Sequence, residues 1–430
     1  MTSTARKESN TTTSLFVQQP TEDADILIAG AGPGGSMSAL ALAGSGLRVL
    51  LLDQAQFPRD KICGDAISGR VFSVLRHQAP DLLAALHAGP VKQGTWGLRF
   101  VAPSGQQLDI PLKTDPGAEQ HPPAYVSTRL AFDDFLFRQA QAVPEVTVQQ
   151  GFRLRRVGVS PEGVWVSDGQ QTLRARLLIG ADGANSVVAR HLMHSQVQPQ
   201  HHSAGVRLYC RGVTGFHPGQ YLELHYLREL LPGYLWIFPL PEGRANVGLG
   251  MLTRDLQRSR VALRLRLPEV LRSHPALAPR FAEATFEGPA QGFGLPLGSQ
   301  RRPASGDRLL LVGDAAGLVD PFTGEGIGNA MISGRLAAQH ARAALAAGDP
   351  SAARLAAYDD ALWRKLGQEL RLSHQLQRLV RYPWLFDWVV RRVARSQPLQ
   401  KLFTQMFDNV DLRAQLRSPA FYARLLWGKR

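Results

Sequence analysis

The strongest constraint on the fold is a run of six residues, Gly30-Ala31-Gly32-Pro33-Gly34-Gly35, placed between an apolar stretch from Asp25 and an Ala- and Leu-rich stretch reaching Gly44. The apolar stretch, Asp25 to Gly30, predicts a short buried strand. Gly35 to Gly44 predicts a helix, and Leu47 to Asp53 a second strand, so the chain opens as β-α-β. In such a G-x-G-x-x-G turn the first glycine permits the tight bend, the second lets backbone approach a pyrophosphate, and the third lets helix pack on strand. The helix N-terminus then faces the anion with unpaired N–H groups. Asp53, 18 residues beyond Gly35, ends the second strand where a carboxylate can accept hydrogen bonds from a ribose diol. Gly30, Gly32, Pro33, Gly34, Gly35 and Asp53 are therefore candidate dinucleotide contacts.

A second strand-to-helix turn runs from Gly313-Asp314-Ala315-Ala316-Gly317 through Asp320-Pro321-Phe322-Thr323-Gly324-Glu325-Gly326-Ile327. Its glycines leave backbone N–H groups open to a phosphate or to an electron-rich ring edge. Asp314, at the strand end, is placed to face ribityl or ribose hydroxyls.

Elsewhere the pattern alternates between periods of two and 3.6 residues. Gly97 to Leu112 predicts a hairpin about Pro103-Ser104-Gly105, and Ser127 predicts a helix start before Leu130, Phe132, Phe135 and Leu136. Val146 to Ile179 predicts a small β-meander with turns at Pro161-Glu162-Gly163 and Asp168-Gly169, ending at Gly180-Ala181-Asp182-Gly183. Ser203 to Leu295 predicts mostly antiparallel strands, interrupted by a helix near Leu256 to Leu267 that stops before Pro268. Arg308 to Val312 predicts a buried strand and Ile327 to Ala346 a helix. After Pro350 the chain reads as helical, with breaks at Pro383 and Pro398.

Tyr234, Trp236 and Phe238 fall at period two, so their rings share one face of a strand; that face lines an apolar pocket or packs in the core. Two cysteines, Cys63 and Cys210, are too few for a disulfide framework and lack the spacing of a zinc site; no metal is expected. Met1 to about Asp23 is polar, without a signal-peptide core, and is expected to be a disordered leader. No segment has the length and apolarity of a spanning helix, so a cytoplasmic location is expected. The net charge of +14 is concentrated in Ala361 to Arg430, which holds 14 Lys/Arg against 4 Asp/Glu and four of the seven tryptophans (Trp363, Trp384, Trp388, Trp427). With Leu385, Val389, Leu402, Phe403, Met406 and Phe407 at helical spacing, this segment is expected either to meet an anionic membrane surface peripherally or to pack on the body of the protein. No nucleic-acid-binding module is present, and no nucleic-acid partner is expected.

Taken together, Gly30–Gly35, Phe57-Pro58-Arg59-Asp60-Lys61-Ile62-Cys63-Gly64-Asp65, Gly180–Gly183, Tyr234-x-Trp236-x-Phe238-Pro239, Asn246-Val247-Gly248-x-Gly250 and Gly313–Ile327 resemble the geranylgeranyl reductase family of FAD-dependent oxidoreductases. That family is related to aromatic hydroxylases and flavin-dependent halogenases, and the resemblance spans roughly Asp25 to Ala346. It implies an α/β fold: a Rossmann-type FAD-binding domain (24–95, 125–200 and 290–350), an inserted, mostly antiparallel substrate domain (96–124 and 201–289), and a C-terminal helical segment (351–430). Asp53 stands where the family more often has Glu, a shorter reach to the ribose with the acceptor kept. The resemblance further implies that Gly30, Gly32, Gly35 and Asp53 hold the ADP half of FAD, that Arg129, at the head of its helix, also touches the cofactor, and that Asp182 and Gly183 lie near the pyrophosphate side and the reductant's approach. Gly313, Asp314, Gly324, Gly326 and Ile327 would hold the ribityl chain and ring, with Cys63 beside the ring.

The reaction so implied is hydrogenation of carbon–carbon double bonds in a polyprenyl or similar apolar substrate, with Cys63 or water as proton donor. No second G-x-G-x-x-G occurs, so the electron donor is a transient NAD(P)H or a ferredoxin-like protein. Two other readings stay open: a hydroxylase or halogenase on the same scaffold, and a non-catalytic lipid-binding flavin fold. For a halogenase, Arg99 occupies the strand where a catalytic lysine is expected, and arginine cannot serve as a nucleophilic amine.

Overall fold

A computed structural model of the chain describes residues 23–89, 92–112, 121–397 and 399–400. The leader up to residue 22 and the segment from 401 to 430, with Leu402, Phe403, Met406, Phe407 and Trp427, lie outside the described residues.

Five parallel strands form the centre of the first sheet, in the order Val146–Gln150, Val49–Asp53, Ala24–Ala29, Thr172–Gly180, Leu309–Leu311. Ile26, Leu27 and Ile28 have no exposed surface, nor have Leu177, Leu178 and Ile179 beside them. Such unbroken apolar runs suit strands covered on both faces. Val146–Gln150 corrects the expected meander: it leaves that unit to pair in parallel with Val49–Asp53, and only Arg156–Ser160, Gly163–Ser167 and Thr172–Gly180 pair antiparallel in sequence. Parallel or antiparallel pairing depends on which edge is free to receive a strand, and local periodicity does not report that.

Helix Pro33–Ala41 packs against helix Ile327–Ala346, and the contact is almost backbone to backbone. A Cβ on Gly334 would lie 2.3 Å from the Gly34 carbonyl oxygen. Ser38 Oγ bridges the two helices, within 2.8 Å of the Gly34 carbonyl and 3.1 Å of the Gly334 carbonyl. The first turn after the glycine run is thereby fixed against the second.

The second sheet also has eight strands, ordered Thr285–Phe286, His202–Arg211, Arg244–Leu252, Tyr234–Leu240, Leu222–His225, Gly97–Val101, Gln107–Pro111, with Gln291–Pro296 also pairing His202–Arg211. All its pairings are antiparallel except that of Leu222–His225 with Gly97–Val101. A third, three-stranded sheet joins Ala66–Ile67, Ala124–Val126 and Gln93–Thr95.

Two local expectations are corrected. The helix expected from Leu256 to Leu267 is a pair, Thr253–Ser259 and Leu263–Ser273, and Pro268 lies inside the second. A mid-helix proline costs roughly 3 kcal/mol. Here Leu263, Leu267, Val270 and Leu271 are buried in the apolar cluster beneath the second sheet, and that burial carries the helix through. The helix expected to start at Ser127 begins two residues later, Arg129–Gln141, with Thr128 Oγ1 accepting from the Ala131 N–H.

Among the described residues after 350 are the helices Ala352–Leu379 and Pro383–Ala394. The first is fixed to the parallel sheet: the Tyr358 hydroxyl donates to the Leu311 carbonyl at 2.8 Å and the Trp363 indole to the Arg302 carbonyl at 3.1 Å. Trp363 is thus core and leaves the expected lipid-facing set, whereas Trp384 is 68% exposed.

If the helix–helix approach governs this half of the fold, Gly334→Ala should destabilise the protein by roughly 1–3 kcal/mol in urea unfolding through overpacking. Helix propensity alone would stabilise it by roughly 1 kcal/mol. The sign of the measured change decides between the two.

Candidate active site

Three strand ends meet at the carboxyl edge of the parallel sheet, where ligands bind in open α/β folds. Gly30 (φ +104°) follows the first, and a Cβ there would lie 2.3 Å from the Ala181 carbonyl oxygen. Ala181 donates its N–H to the Ala29 carbonyl at 2.8 Å, and Val312 donates to the Gly180 carbonyl at 3.0 Å. On Gly35 a Cβ would fall 1.8 Å from the Gly30 carbonyl oxygen, so the turn closes only on glycine. Gly32 differs: a Cβ there would meet only the tip of Arg59, at 3.5 Å, and one on Gly183 would meet nothing within 4 Å. These two positions are open where a pyrophosphate would pass. Asp53 is buried, with Oδ2 accepting from the Ala31 N–H at 2.8 Å and Oδ1 from the Ala55 N–H at 2.9 Å. The carboxylate is held rigidly, and each oxygen keeps acceptor capacity for a diol. The cradle fits the adenosine and pyrophosphate half of FAD.

Asp182 is engaged within the protein. It accepts from Ser186 Oγ at 2.5 Å and from the N–H groups of Val187 and Val188 at 2.7 and 3.1 Å, capping helix Val187–Leu192. Burial raises its pKa against these hydrogen bonds.

In the second turn Gly313, Gly317 and Gly324 have positive φ. Asp320, almost fully buried, accepts from the Phe322 and Thr323 N–H groups, from the Thr323 hydroxyl and from Ser373 Oγ, which fixes the bend before Gly326 and Ile327. Asp314 Oδ2 accepts from Lys61 Nζ at 2.9 Å, and its Oδ1 lies 3.4 Å from where a Cβ on Gly326 would be. Lys61 comes from the Phe57–Asp65 segment, which therefore crosses above this turn.

That segment is held by buried charge. Arg129 makes two 2.6 Å bonds to Asp133, and Arg59 adds a third at 2.5 Å. Burial alone would lower the Arg129 pKa; Asp133 and the Cys63 thiol, which its guanidinium also reaches, hold it above the ordinary value. Burial would likewise raise Asp133, yet the two arginines keep it below the usual carboxylate range. Cys63 itself is half-buried. Its carbonyl accepts from Asn246 Nδ2 at 2.7 Å, and the same amide donates to Asp65 Oδ2 at 2.8 Å. Asn246 Oδ1 accepts from the Trp236 indole at 2.9 Å. One asparagine of the second sheet thus fixes both the Cys-Gly-Asp turn and the central ring.

Asp65 has no exposed surface, adopts φ +66°, accepts from the Tyr209 hydroxyl at 2.6 Å and leaves Oδ1 without a partner. Burial pushes its carboxyl up to about 6, against the lowering effects of Tyr209, Asn246, Arg207 and Arg129.

The rings of Tyr234, Trp236 and Phe238 follow one another at 6.2 and 6.5 Å along one face. They span from one turn to the other: the Tyr234 hydroxyl donates to the Thr323 carbonyl at 3.0 Å, and Phe238 lies 3.0 Å from where a Cβ on Gly64 would be. Beyond them opens an apolar cleft, partly open to solvent. Phe100, Leu108 and Ile110 of the 97–111 hairpin, Phe322 of the second turn, and Leu372, Leu376, Val389 and Val393 of the two C-terminal helices form its wall. The three strand-face rings belong to the adjoining packed cluster and do not line the cleft itself. Arg99 is tied across its hairpin to Asp109 by bonds of 2.7 and 2.8 Å.

Sequence reasoning missed Asn246, Tyr209, Arg207 and Lys61 as site-organising residues and gave Asp65 no role of its own. Asn246 and Lys61 lay inside motifs that had been singled out. Tyr209 and Arg207 carry no local signal, since they reach the site only through strand pairing.

Because Asp65 ionises harder in the folded state than in the unfolded chain, it costs stability as pH rises through the range from about 4 to about 6. Asp65→Asn, tolerated at left-handed φ, should remove that cost. The stability difference, variant minus wild type, should become more favourable by about 1–2 kcal/mol between pH 5 and pH 7.5 in urea titrations. A difference independent of pH would show that Asp65 is ionised throughout.

Comparison with known proteins places this geometry. The FAD binding domain family matches residues 23–364. Digeranylgeranylglycerophospholipid reductase 1 of Methanopyrus kandleri is 31% identical over 357 residues, covering 78% of this chain and 85% of its own length. Menaquinone reductase of Mycolicibacterium smegmatis is 32% identical over 324 residues, covering 74% and 76%. Among solved structures, a geranylgeranyl bacteriochlorophyll reductase-like protein from Thermoplasma acidophilum superposes with a TM-score of 0.77 at 24% identity, over 92% of this chain and 98% of that one. The halogenase PltM follows at 0.71 and 20% identity, over 94% and 90%, a likeness of fold alone. The turn, the clamped carboxylate and these relatives agree: the chain belongs to the FAD-binding oxidoreductases of the geranylgeranyl reductase family.

Proposed function

We propose that this enzyme hydrogenates carbon–carbon double bonds in the polyprenyl chain of a lipid, and that Gly30, Gly32, Pro33, Gly34, Gly35 and Asp53 hold the adenosine and pyrophosphate of FAD. Gly183 borders that cradle, and Gly313, Asp314, Gly324, Gly326 and Ile327 receive the ribityl chain and ring. Bound and reduced, FAD supplies a hydride equivalent to one alkene carbon. The observation that carries the reading is the apolar cleft whose wall includes Phe322 and Thr323 of the very turn that ends in Gly326 and Ile327. The lining of this cleft suits a hydrocarbon chain. The Cys63 Sγ is the proposed holder of the proton for the second carbon, with Arg129 beside it and Asn246 fixing its backbone. Tyr234, Trp236 and Phe238 are proposed to shape the substrate's approach between the two turns. The electron donor is proposed to be a transient NAD(P)H or ferredoxin-like protein. The relatives named as reductases of digeranylgeranylglycerophospholipid and of menaquinone support an isoprenoid-bearing substrate.

Incubation of protein, FAD and dithionite with a polyprenyl lipid extract should raise product masses by pairs of hydrogens without air. Products formed only in air, with added oxygen or halogen, would overturn the reading in favour of a monooxygenase or halogenase.

A lipid substrate has to be collected from a lipid surface. No described helix is long and apolar enough to cross a membrane. Trp384 (68% exposed) and Tyr382 (57%) instead stand at the start of helix Pro383–Ala394, whose inner face lines the cleft, with exposed Arg378 before that helix and exposed Arg391 and Arg395 at its far end. Aromatic and basic groups together favour anionic interfaces by about 1 kcal/mol per cation. Sedimentation with anionic but not neutral liposomes, reduced in Trp384→Ser, is expected; equal binding to both would refute it.

A further inference from the structure

We propose that His201, Arg254, Arg302 and His374 form a binding site for a phosphoryl group, built from residues separate from the dinucleotide turn. Four elements meet there: the short helical turn Pro199–His201, helix Thr253–Ser259, the loop of Ser299 and Arg302, and the long helix Ala352–Leu379. The His201 and His374 rings stand 6.3 Å apart. His201 Nδ1 is fixed by Ser299 Oγ at 2.7 Å, and the neighbouring His202 by Thr253 Oγ1 at 2.7 Å, so the imidazoles are held in place. Arg378 and Arg381 continue from His374 at helical spacing and extend the positive charge along the rim.

The charge is not balanced. Among the described residues, the carboxylate within ion-pair distance of any of these six groups is Asp255, which lies 2.7 Å from Arg381 and 3.8 Å from Arg254 Nε. The Arg254 Nε is buried without a hydrogen-bond partner, and so is His374 Nδ1 despite Gln377 alongside. Arg302 makes one side-chain contact, at 3.5 Å to Gln300. The groups repel one another. After burial, Arg302, His374 and Arg254 each lower the His201 pKa, and Arg378, Arg254 and Arg381 lower that of His374. Basic residues at a helix C-terminus commonly answer its dipole. That explains Arg378 but not Arg254, Arg302 and His201, which come from elsewhere. Converging guanidinium groups, with imidazoles and unused donors beside them, are what a dianionic oxygen cluster satisfies.

The same helix carries Leu372, Leu376 and Leu379 into the apolar cleft two residues out of phase, so cleft and cation cluster occupy opposite faces. A phosphoryl group reaching this cluster could come from a phosphorylated prenyl lipid or from the 2′-phosphate of a nicotinamide dinucleotide.

The test uses FAD-saturated protein and inorganic pyrophosphate as probe, followed by titration calorimetry and ³¹P line broadening. Binding should weaken at least fivefold in Arg302→Gln/Arg254→Gln and stay unchanged in Arg153→Gln, which alters overall charge equally per residue at an exposed position outside all four elements of the site. Arg254→Gln alone, at a half-exposed side chain, should weaken binding at least twofold and covers the case in which the double variant does not fold. Displacement of pyrophosphate by NADP⁺ but not NAD⁺ would assign the nucleotide as source, and displacement by geranylgeranyl phosphate but not geranylgeraniol the lipid. No binding, or binding that Arg254→Gln and the double variant leave intact, overturns the site.

Discussion

The close approach of two helices, across Gly34 in the first turn of one and Gly334 inside the other, sets the geometry on which the rest of the molecule depends. Backbone-to-backbone packing leaves no room for a side chain at the interface, so the strand ends at Gly30, Ala181 and Val312 are brought together with little freedom. The two glycine-rich turns consequently face the same edge of the sheet. Asp53, clamped by two backbone N–H groups, adds an acceptor that need not reorganise when a diol arrives.

Over this rigid edge the Phe57–Asp65 segment is laid like a bridge, with its charged residues paired on both sides. Lys61 reaches down to Asp314, Arg59 reaches Asp133, and Asp60 accepts from Arg207 of the second sheet at 2.7 Å. Asp133 and Arg207, the buried members of these pairs, are each compensated by charge from this segment, and Asp133 is held by Arg129 as well. The arrangement therefore buys a single position for Cys63 and Gly64 rather than stability as such. Asn246 completes it by linking the Cys63 carbonyl, the Asp65 carboxylate and the Trp236 indole.

The C-terminal helices build much of the wall of the apolar cleft. Helix Ala352–Leu379 is fastened to the parallel sheet through Tyr358 and to the loop before it through Trp363, and helix Pro383–Ala394 closes the remaining side of the apolar cleft with Val389 and Val393. Asp320 and Ser373 tie the second turn to the first of these helices at 2.5 Å. Movement of the cleft wall is therefore coupled to the turn expected to carry the flavin ring.

Much of this was legible in the chain itself. The opening β-α-β unit, the helix Ile327–Ala346 and the shared face of Tyr234, Trp236 and Phe238 follow from local periodicity and from glycines whose positions only glycine can occupy. The Phe57–Asp65 element was recognisable as a motif, although its work, bridging two sheets through paired charges, was not. What the tertiary structure alone decided is everything that depends on which distant elements meet. Val146–Gln150 joined the parallel sheet because that edge was open, Pro268 stayed helical because its neighbours were buried, and Trp363 became core. Tyr209 and Arg207 came to Asp65 and Asp60 from some 150 residues away, and His201, Arg254, Arg302 and His374 converged from four elements. Periodicity reports which way a side chain points within its own element; it holds no record of what packs opposite, and buried charge acquires its meaning only from that opposite partner.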